Sequence, residues 1–232
     1  MKTIGLLGGM SWQSSQYYYA QINQLVADQL GGLSSAKVAM VSVDFAPIAQ
    51  LQAAEDWPAM AAMLSQSAQQ IACAGAECLL ICTNTMHAVA DDVAAAVDIP
   101  LIHIADATGA QLQKDGVRKV ALLGTAFTMQ KAFYKDRLKT RFHLDVLVPN
   151  KAKQDVVHRV IYEELCLGNI NASSKSAYID IIEELVAKGA EAVILGCTEI
   201  GLLIEPKDVS VPVYDTVELH ARAAVDFALE AN

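Results

Sequence analysis

The chain has 232 residues, 53% of them hydrophobic and 19% charged, with a formal net charge of −9. That is enough for one large or two small domains with sizeable cores, and an acidic balance without blocks of like charge excludes a phosphate-tracking surface, which needs clustered Lys and Arg. No apolar run reaches membrane-span length; five cysteines without a C-x-x-C pair, beside five scattered histidines, indicate reduced thiols rather than a disulfide framework or a zinc site.

In chain order, short apolar runs alternate with longer helix-like stretches. TIGLLG (3–8) is too short for a secretory signal and reads as a first strand. The GLLGGM it opens is not G-x-G-x-x-G and has no convincing ribose-binding acid about 20 residues on, which argues against a dinucleotide turn. The Gly8-Gly9-Met10-Ser11 turn instead lets backbone approach a ligand closely. A helix is predicted over 14–30, taking in a partly buried Tyr17, Tyr18 and Tyr19. AKVAMVSVDF (36–45) reads as a strand, 56–74 as a helix, ECLLIC (77–82) as a strand and 85–97 as a helix. PLIHI (100–104), KVALLG (119–124), DVLVP (145–149), AVILGC (192–197) and VPVYD (211–215) read as further strands, with helices over 129–141, 153–167 and 174–188. The strands are nearly continuous in Val, Ile, Leu and Ala, as in parallel sheets covered on both faces. Alternation throughout predicts an α/β fold.

The chain also repeats itself. GAECLLICTNT from Gly75 returns as GAEAVILGCTE from Gly189, an offset of 114; DIPLIHIAD from Asp98 resembles SVPVYDTVE from Ser210, an offset of 112; LLGGM from Leu6 resembles LLGTA from Leu122, an offset of 116. The period is far too long for a solenoid. It predicts two pseudo-symmetric α/β lobes with mainly parallel sheets and an active site in the cleft between them, the first lobe from 1–98 plus 215–232 and the second from 99–214. The same register sets Thr83 on Cys197 and Cys82 on Gly196. A one-residue slip along a strand reverses every side chain, so Thr83 and Cys197 share a position and Cys82 points elsewhere.

Ligands of parallel sheets bind beyond the carboxyl ends of the strands. Thr83-Asn84-Thr85 and Cys197-Thr198-Glu199 both stand there, each before an expected helix N-terminus that would favour an anion and lower a cysteine pKa. Two equivalent positions facing one small molecule suit chemistry at a stereocentre. Cys73, Cys78, Cys82 and Cys166 read as small buried hydrophobes, and His87 and His103 as packed or capping histidines rather than bases. Thr83 is compatible with an N-cap as well as with a site role.

With MKTIGLLGGMSW, CTNTMH (82–87), HIADAT (103–108), LLGTAFTM (122–129), IYEELCLG (161–168), GCTEIGLL (196–203) and PVYDT (212–216), the whole chain resembles the cofactor-independent aspartate/glutamate racemases. It is most similar to bacterial amino-acid racemases of broad or aspartate/glutamate specificity. The resemblance implies a two-lobed homodimer that works without metal or cofactor, with one cysteine per lobe: one removes the α-proton as a thiolate and the other reprotonates the opposite face. Cys197 matches the second-lobe cysteine, whereas Thr83 stands where the first-lobe cysteine precedes Asn84-Thr85. A hydroxyl is a far weaker acid than a thiol, so Thr83 is suited to donating or relaying a proton rather than to holding a basic alkoxide.

The resemblance also implies that Asn84, Thr85 and Thr198, with neighbouring N–H groups, bind the α-carboxylate. Thr125 and Thr128 offer further carboxylate donors, and Met10 and Ser11 line the first turn. Gln52 lies near an arginine position, and Cys166 at a lysine position, of some archaeal aspartate racemases; both departures weaken strict aspartate specificity. The expected partner is a small amino acid, with no nucleic acid or membrane and a cytoplasmic location. Two other functions stay open: a single-cysteine decarboxylase of the arylmalonate decarboxylase type, and a non-enzymatic amino-acid binding protein.

Overall fold

The computed structural model describes residues 1–230. The chain divides into two compact units, residues 1–104 with 217–232, and residues 105–216.

The first unit is built on three parallel strands, β1 (Ile4–Gly8), β2 (Val38–Ser42) and β3 (Cys78–Ile81), in the order β2-β1-β3. Central β1, and β3 with the Leu101 bridge on its outer side, are buried at every residue while β2 at the other edge is only partly covered, which is why the first two read as unbroken apolar runs. Helix α1 (Trp12–Leu30) starts where Ser11 accepts from the Ser14 N–H at 3.3 Å, a cap of about 1 kcal/mol. It buries Tyr18, Ile22, Leu25 and Val26, the i, i+3, i+4 spacing of one face. That face packs with Val217, Ala221 and Val225 of the last helix against Ile4, Leu6, Cys78, Leu80 and Cys82. The opposite side of the sheet is covered by α3 (Trp57–Cys73) and a short helix α4 (Ala90–Ala95), through Met60, Leu64, Ile71 and Val93. Tyr18 alone of the three tyrosines is fully buried; Tyr17 and Tyr19 are exposed.

The second unit carries four parallel strands, β4 (Lys119–Gly124), β5 (Asp145–Leu147), β6 (Ala192–Gly196) and β7 (Val213–Asp215), in the order β5-β4-β6-β7. Helices α8 (Lys151–Glu163) and α9 (Ala172–Ala187) bury Val157, Val160, Ile161, Tyr178, Ile182 and Leu185 against Ala121, Leu123, Val193 and Leu195.

The sequence repeat reappears as hydrogen-bond register. Leu6 pairs with Leu80 and Leu122 with Ile194; Leu79 pairs with Leu101 and Val193 with Val213. Each second pair is the first displaced by the offsets read from the sequence.

Several expected elements are shorter or broken. The strand expected over 36–45 ends at Ser42, because Asp44 accepts from the Ala46 N–H at 3.1 Å and starts α2 (Phe45–Ala53). PLIHI makes only the Leu79–Leu101 bridge, since α5 (Ile104–Lys114) begins inside it. The helix expected over 129–141 is two, α6 (Ala126–Gln130) and α7 (Ala132–Phe142), separated by an extended Lys131. That expected over 153–167 stops at Glu163, and the next residues form a 3-10 turn, Leu165–Leu167. Helix α10 (Thr216–Leu229) closes the described chain.

Candidate active site

The predicted residues collect at the carboxyl edges of the two sheets. In the first unit the loop after β1 carries Met10 and Ser11, the loop after β2 leads into α2 with Gln52, and the segment after β3 is Thr83-Asn84-Thr85. In the second unit Thr125 follows β4, leading to Thr128 in α6, and Cys197-Thr198-Glu199 follow β6.

Three glycines bring backbone close there. Gly9 has φ +98° and a Cβ on it would stand 2.1 Å from the Val43 carbonyl oxygen, so only glycine lets the first loop lie against the end of β2. Gly124 and Gly196 face each other across β4 and β6; a Cβ on Gly196 would stand 2.9 Å from the Leu123 carbonyl oxygen. The strand end carrying Cys197 is thereby drawn against the one carrying Thr125.

The segment after β3 is not the helix N-terminus expected from the sequence. Thr85–Val89 is a 3-10 turn, and the residue that precedes it is Asn84, without a side-chain cap bond, so Thr83 is not a helix cap. Cys82 is fully buried in the apolar cluster with Tyr18 and Val217, its thiol pushed far up by burial, whereas Thr83 is only partly buried. Three hydrogen bonds hold the backbone of the turn. The Cys82 N–H donates to the Leu7 carbonyl at 2.9 Å, Ser14 Oγ donates to the Cys82 carbonyl at 2.9 Å, and His87 Nδ1 lies 2.8 Å from the Thr83 carbonyl.

His87 Nε2 accepts from the Ile104 N–H at 3.2 Å, so its single proton sits on Nδ1 and donates to Thr83. Its ring lies 4.5 Å from His103 and 5.7 Å from His220. His220 is held at a pKa of about 4 by burial, partly offset by its hydrogen bond to the Ile102 carbonyl. His87 is a packing and orienting histidine with both nitrogens engaged. Asn84 and Thr85 are 3% and 5% exposed, and Gln52, also 3% exposed, has an Nε2 with no hydrogen-bond partner among the described residues.

In the second unit Thr125 caps α6, accepting from the Thr128 N–H at 3.3 Å, and the two threonine hydroxyls lie 3.2 Å apart. His158 Nδ1 accepts from the Ala126 N–H at 3.2 Å, and burial lowers its pKa. His158 comes from the middle of α8 and carries no motif, so nothing in the sequence singled it out.

Cys197 precedes a five-residue 3-10 turn, Thr198–Leu202, in place of the expected α-helix. A turn this short adds little dipole, and the thiol is not activated. Burial, and then the Glu199 carboxylate beside it, hold Cys197 well above the usual thiol range. The Cys197 thiol donates to Glu199 Oε2 at 3.0 Å and Thr198 Oγ1 donates to the same oxygen at 2.6 Å. Cys166 also hydrogen-bonds Glu199, and burial followed by that carboxylate pushes its thiol up to about 12. Cys166 is therefore not a bland apolar cysteine, and Cys73, expected to be buried, is exposed. The sequence reading had not picked out Glu199, which is 5% exposed. Among the described residues no His, Cys, Asp and Glu group could hold a metal ion, and no helix is long and apolar enough to cross a membrane.

A family model described as Asp/Glu/Hydantoin racemase matches residues 7–224. The crystal structure of a Yersinia pestis protein described provisionally as an Asp/Glu racemase superposes with a TM-score of 0.94 at 51% identity, over 99% of this chain and 100% of that one. An aspartate racemase homologue from Pyrococcus horikoshii OT3 gives 0.87 at 37% identity, again over 99% and 100%. The broad specificity amino-acid racemase RacX of Bacillus subtilis (strain 168) is 21% identical over 158 residues, 65% of this chain and 64% of its own length.

Proposed function

The chain belongs to the Asp/Glu/hydantoin racemase family and is by class an isomerase, an amino-acid racemase; on that premise we propose that it interconverts the L- and D-forms of aspartate, glutamate or a similar small amino acid by proton transfer at Cα, without pyridoxal phosphate or metal. The observation that supports this reading most is the pairing of positions. Cys197 and Thr83 follow strands of identical register in the two units, each at the carboxyl edge of its sheet.

In this reading Cys197 and Thr83 serve opposite faces of Cα. The sulfur exchanges the proton on its face, and the electron pair left on carbon delocalises into the substrate carboxylate. The other face is served by the Thr83 hydroxyl or a water it orients, because an alkoxide is too basic to form at neutral pH. Asn84 and Thr85, with the backbone N–H of Thr198, whose hydroxyl donates to Glu199, are assigned to the α-carboxylate, Thr125 and Thr128 to a carboxylate through the start of α6, and Met10 and Ser11 to the wall after β1. Gln52, a neutral side chain whose amide N–H₂ has no partner among the described residues, is assigned to the distal group; it fits a substrate range wider than aspartate alone. The working form is proposed to be a cytoplasmic homodimer.

One specific observation favours a second reading: a threonine in place of one thiol leaves a single active-site cysteine, as in arylmalonate decarboxylases. Incubation with L- and D-amino acids in D₂O separates the readings. Solvent deuterium at Cα of aspartate or glutamate is the expected result. Loss of CO₂ from an arylmalonate, or amino-acid binding with no exchange at any Cα, overturns it.

The register supplies a control. Cys82→Ala is expected to keep most of the exchange and cost about 1 kcal/mol of stability, because Cys82 faces the Tyr18–Val217 core. Loss of exchange in a folded Cys82→Ala protein would shift the reactive position by one residue.

A further inference from the structure

The middle of α8 stands at the end of β4. The helix starts where the chain leaves the carboxyl end of β5, and the turn that follows it brings Cys166 onto Glu199, just beyond the carboxyl end of β6. In the sheet β4 lies between those two strands, so the segment leaving β4 meets the middle of α8, and the residue there is His158. Its Nδ1 accepts from the Ala126 N–H at 3.2 Å, and its ring centroid lies 4.7 Å from Tyr162 and 6.2 Å from Phe127. The helix is pinned close by: the Val157 carbonyl accepts from the Tyr178 hydroxyl at 2.8 Å, and Gln154, one turn earlier, accepts from Gln130 Nε2 of α6 at 3.0 Å.

A neutral imidazole that accepts on Nδ1 carries its proton on Nε2. That N–H has no hydrogen-bond partner among the described residues, and the side chain is only partly buried. Protonating Nδ1 would set two N–H donors against each other at Ala126. Burial disfavours the charged ring as well; Asp155 opposes that effect and Lys151 adds to it, and these two pair with each other on the exposed side of α8. His158 therefore offers one uncharged donor, on the side of the ring away from Ala126. It stands at the same segment as the Thr125 and Thr128 hydroxyls, which lie 3.2 Å apart.

We propose that His158 is a specificity-determining residue: its Nε2–H donates to an oxygen of the substrate's side chain, beside the Thr125 and Thr128 hydroxyls. The proposal rests on the racemase reading and deepens it by naming the side-chain class that the second unit recognises. An imidazole N–H and two hydroxyls carry no charge, so they fit an oxygen acceptor whether it is a carboxylate or a carboxamide. An aliphatic side chain would cover the N–H without pairing it, and a site built to hydrogen-bond its substrate rejects an analogue that lacks the acceptor.

Two substitutions separate recognition from support. In His158→Asn the amide oxygen falls where Nδ1 now sits and still accepts from Ala126, but nothing reaches the place of Nε2. In His158→Gln the amide reaches the place of Nε2 and leaves Ala126 without its acceptor. The full chain is titrated calorimetrically with L-glutamate, L-aspartate and L-alanine, and Cα deuterium exchange gives KM and kcat. His158→Asn is expected to raise Kd and KM for glutamate and aspartate about tenfold, with kcat within about twofold. Its alanine binding should not move, and its melting temperature should stay within a few degrees of wild type. His158→Gln is expected to melt below the Asn variant yet bind glutamate more tightly than it does. An unchanged Kd for glutamate and aspartate in the folded Asn variant would leave His158 as a support for Ala126 alone and overturn the proposal; an equal loss of alanine binding would do the same. If the Asn variant does not fold, a tenfold loss of glutamate binding in His158→Gln overturns it. Binding does not depend on turnover: glutamate that binds the wild type without Cα exchange defeats the racemase reading and leaves the calorimetric comparison to decide on His158, whereas a wild type that binds neither glutamate nor aspartate defeats the assignment of His158.

Discussion

Cys197→Ser is expected to lower Cα exchange on the order of a thousandfold, because it removes the thiol that directly follows β6. Serine suits the test since its hydroxyl can still donate to Glu199 Oε2, where the thiol now lies at 3.0 Å. The 3-10 turn Thr198–Leu202 and the packing of β6 should therefore survive, and the melting temperature should stay within a few degrees of wild type. What changes is acidity. A serine hydroxyl cannot form an anion at neutral pH, and the neighbouring carboxylate makes that harder still. Exchange within about tenfold of wild type in a folded Cys197→Ser protein would mean that another group meets the α-proton, and the site would have to be rebuilt around His158 or the Thr125–Thr128 pair.

The strands and the equivalence of Thr83 with Cys197 were legible in the sequence because both rest on local patterns: unbroken apolar runs, and a repeated Gly-Ala-Glu that fixes register. The β1–β3 and β4–β6 ladders have the same pairing at the offsets the repeat shows. The segments just beyond the strands were less legible. Apolar periodicity cannot tell an α-helix from a 3-10 turn over five residues, so Thr85–Val89 and Thr198–Leu202 read as helix starts. The predicted activation of Cys197 failed with them, for it assumed a helix dipole and ignored a buried neighbour.

Glu199 was hidden for a different reason. Its partners include Thr198 beside it, Cys197 two residues before it, and Cys166, which reaches it only because α8 ends at Glu163 and the chain turns over Leu165–Leu167. Nothing in the spacing of Cys166 from the GCTE motif encodes that meeting. Cysteine's apolar character likewise predicted burial for Cys78 and Cys82 but misplaced Cys73, the last residue of α3, where the helix runs out into solvent.

Thr83→Cys is expected to raise racemisation of at least one amino acid and to bring the forward and reverse kcat closer together. The substitution is mild. Thr83 is partly buried, and its place is held through its backbone carbonyl by His87 Nδ1 at 2.8 Å, a bond the side chain does not enter. It would place a thiol at the first-unit position equivalent to Cys197, so that both faces of Cα could be served by groups of similar acidity. With a threonine there the two proton transfers are chemically unequal, and abstraction by sulfur should be the easier one to observe. The inequality has a limit. Free enantiomers have equal energy in an achiral solvent, so kcat/KM must be equal in the two directions, and any one-way appearance has to come from unequal kcat and KM in compensating proportion or from slow product release. Progress curves from the L- and the D-enantiomer, fitted separately, measure this. In the wild type they should give unequal kcat with matched kcat/KM, and in the variant kcat values that converge. If the folded variant keeps the wild-type imbalance, Thr83 only binds or orients the substrate, and the proton on its face comes from a water that the threonine does not control.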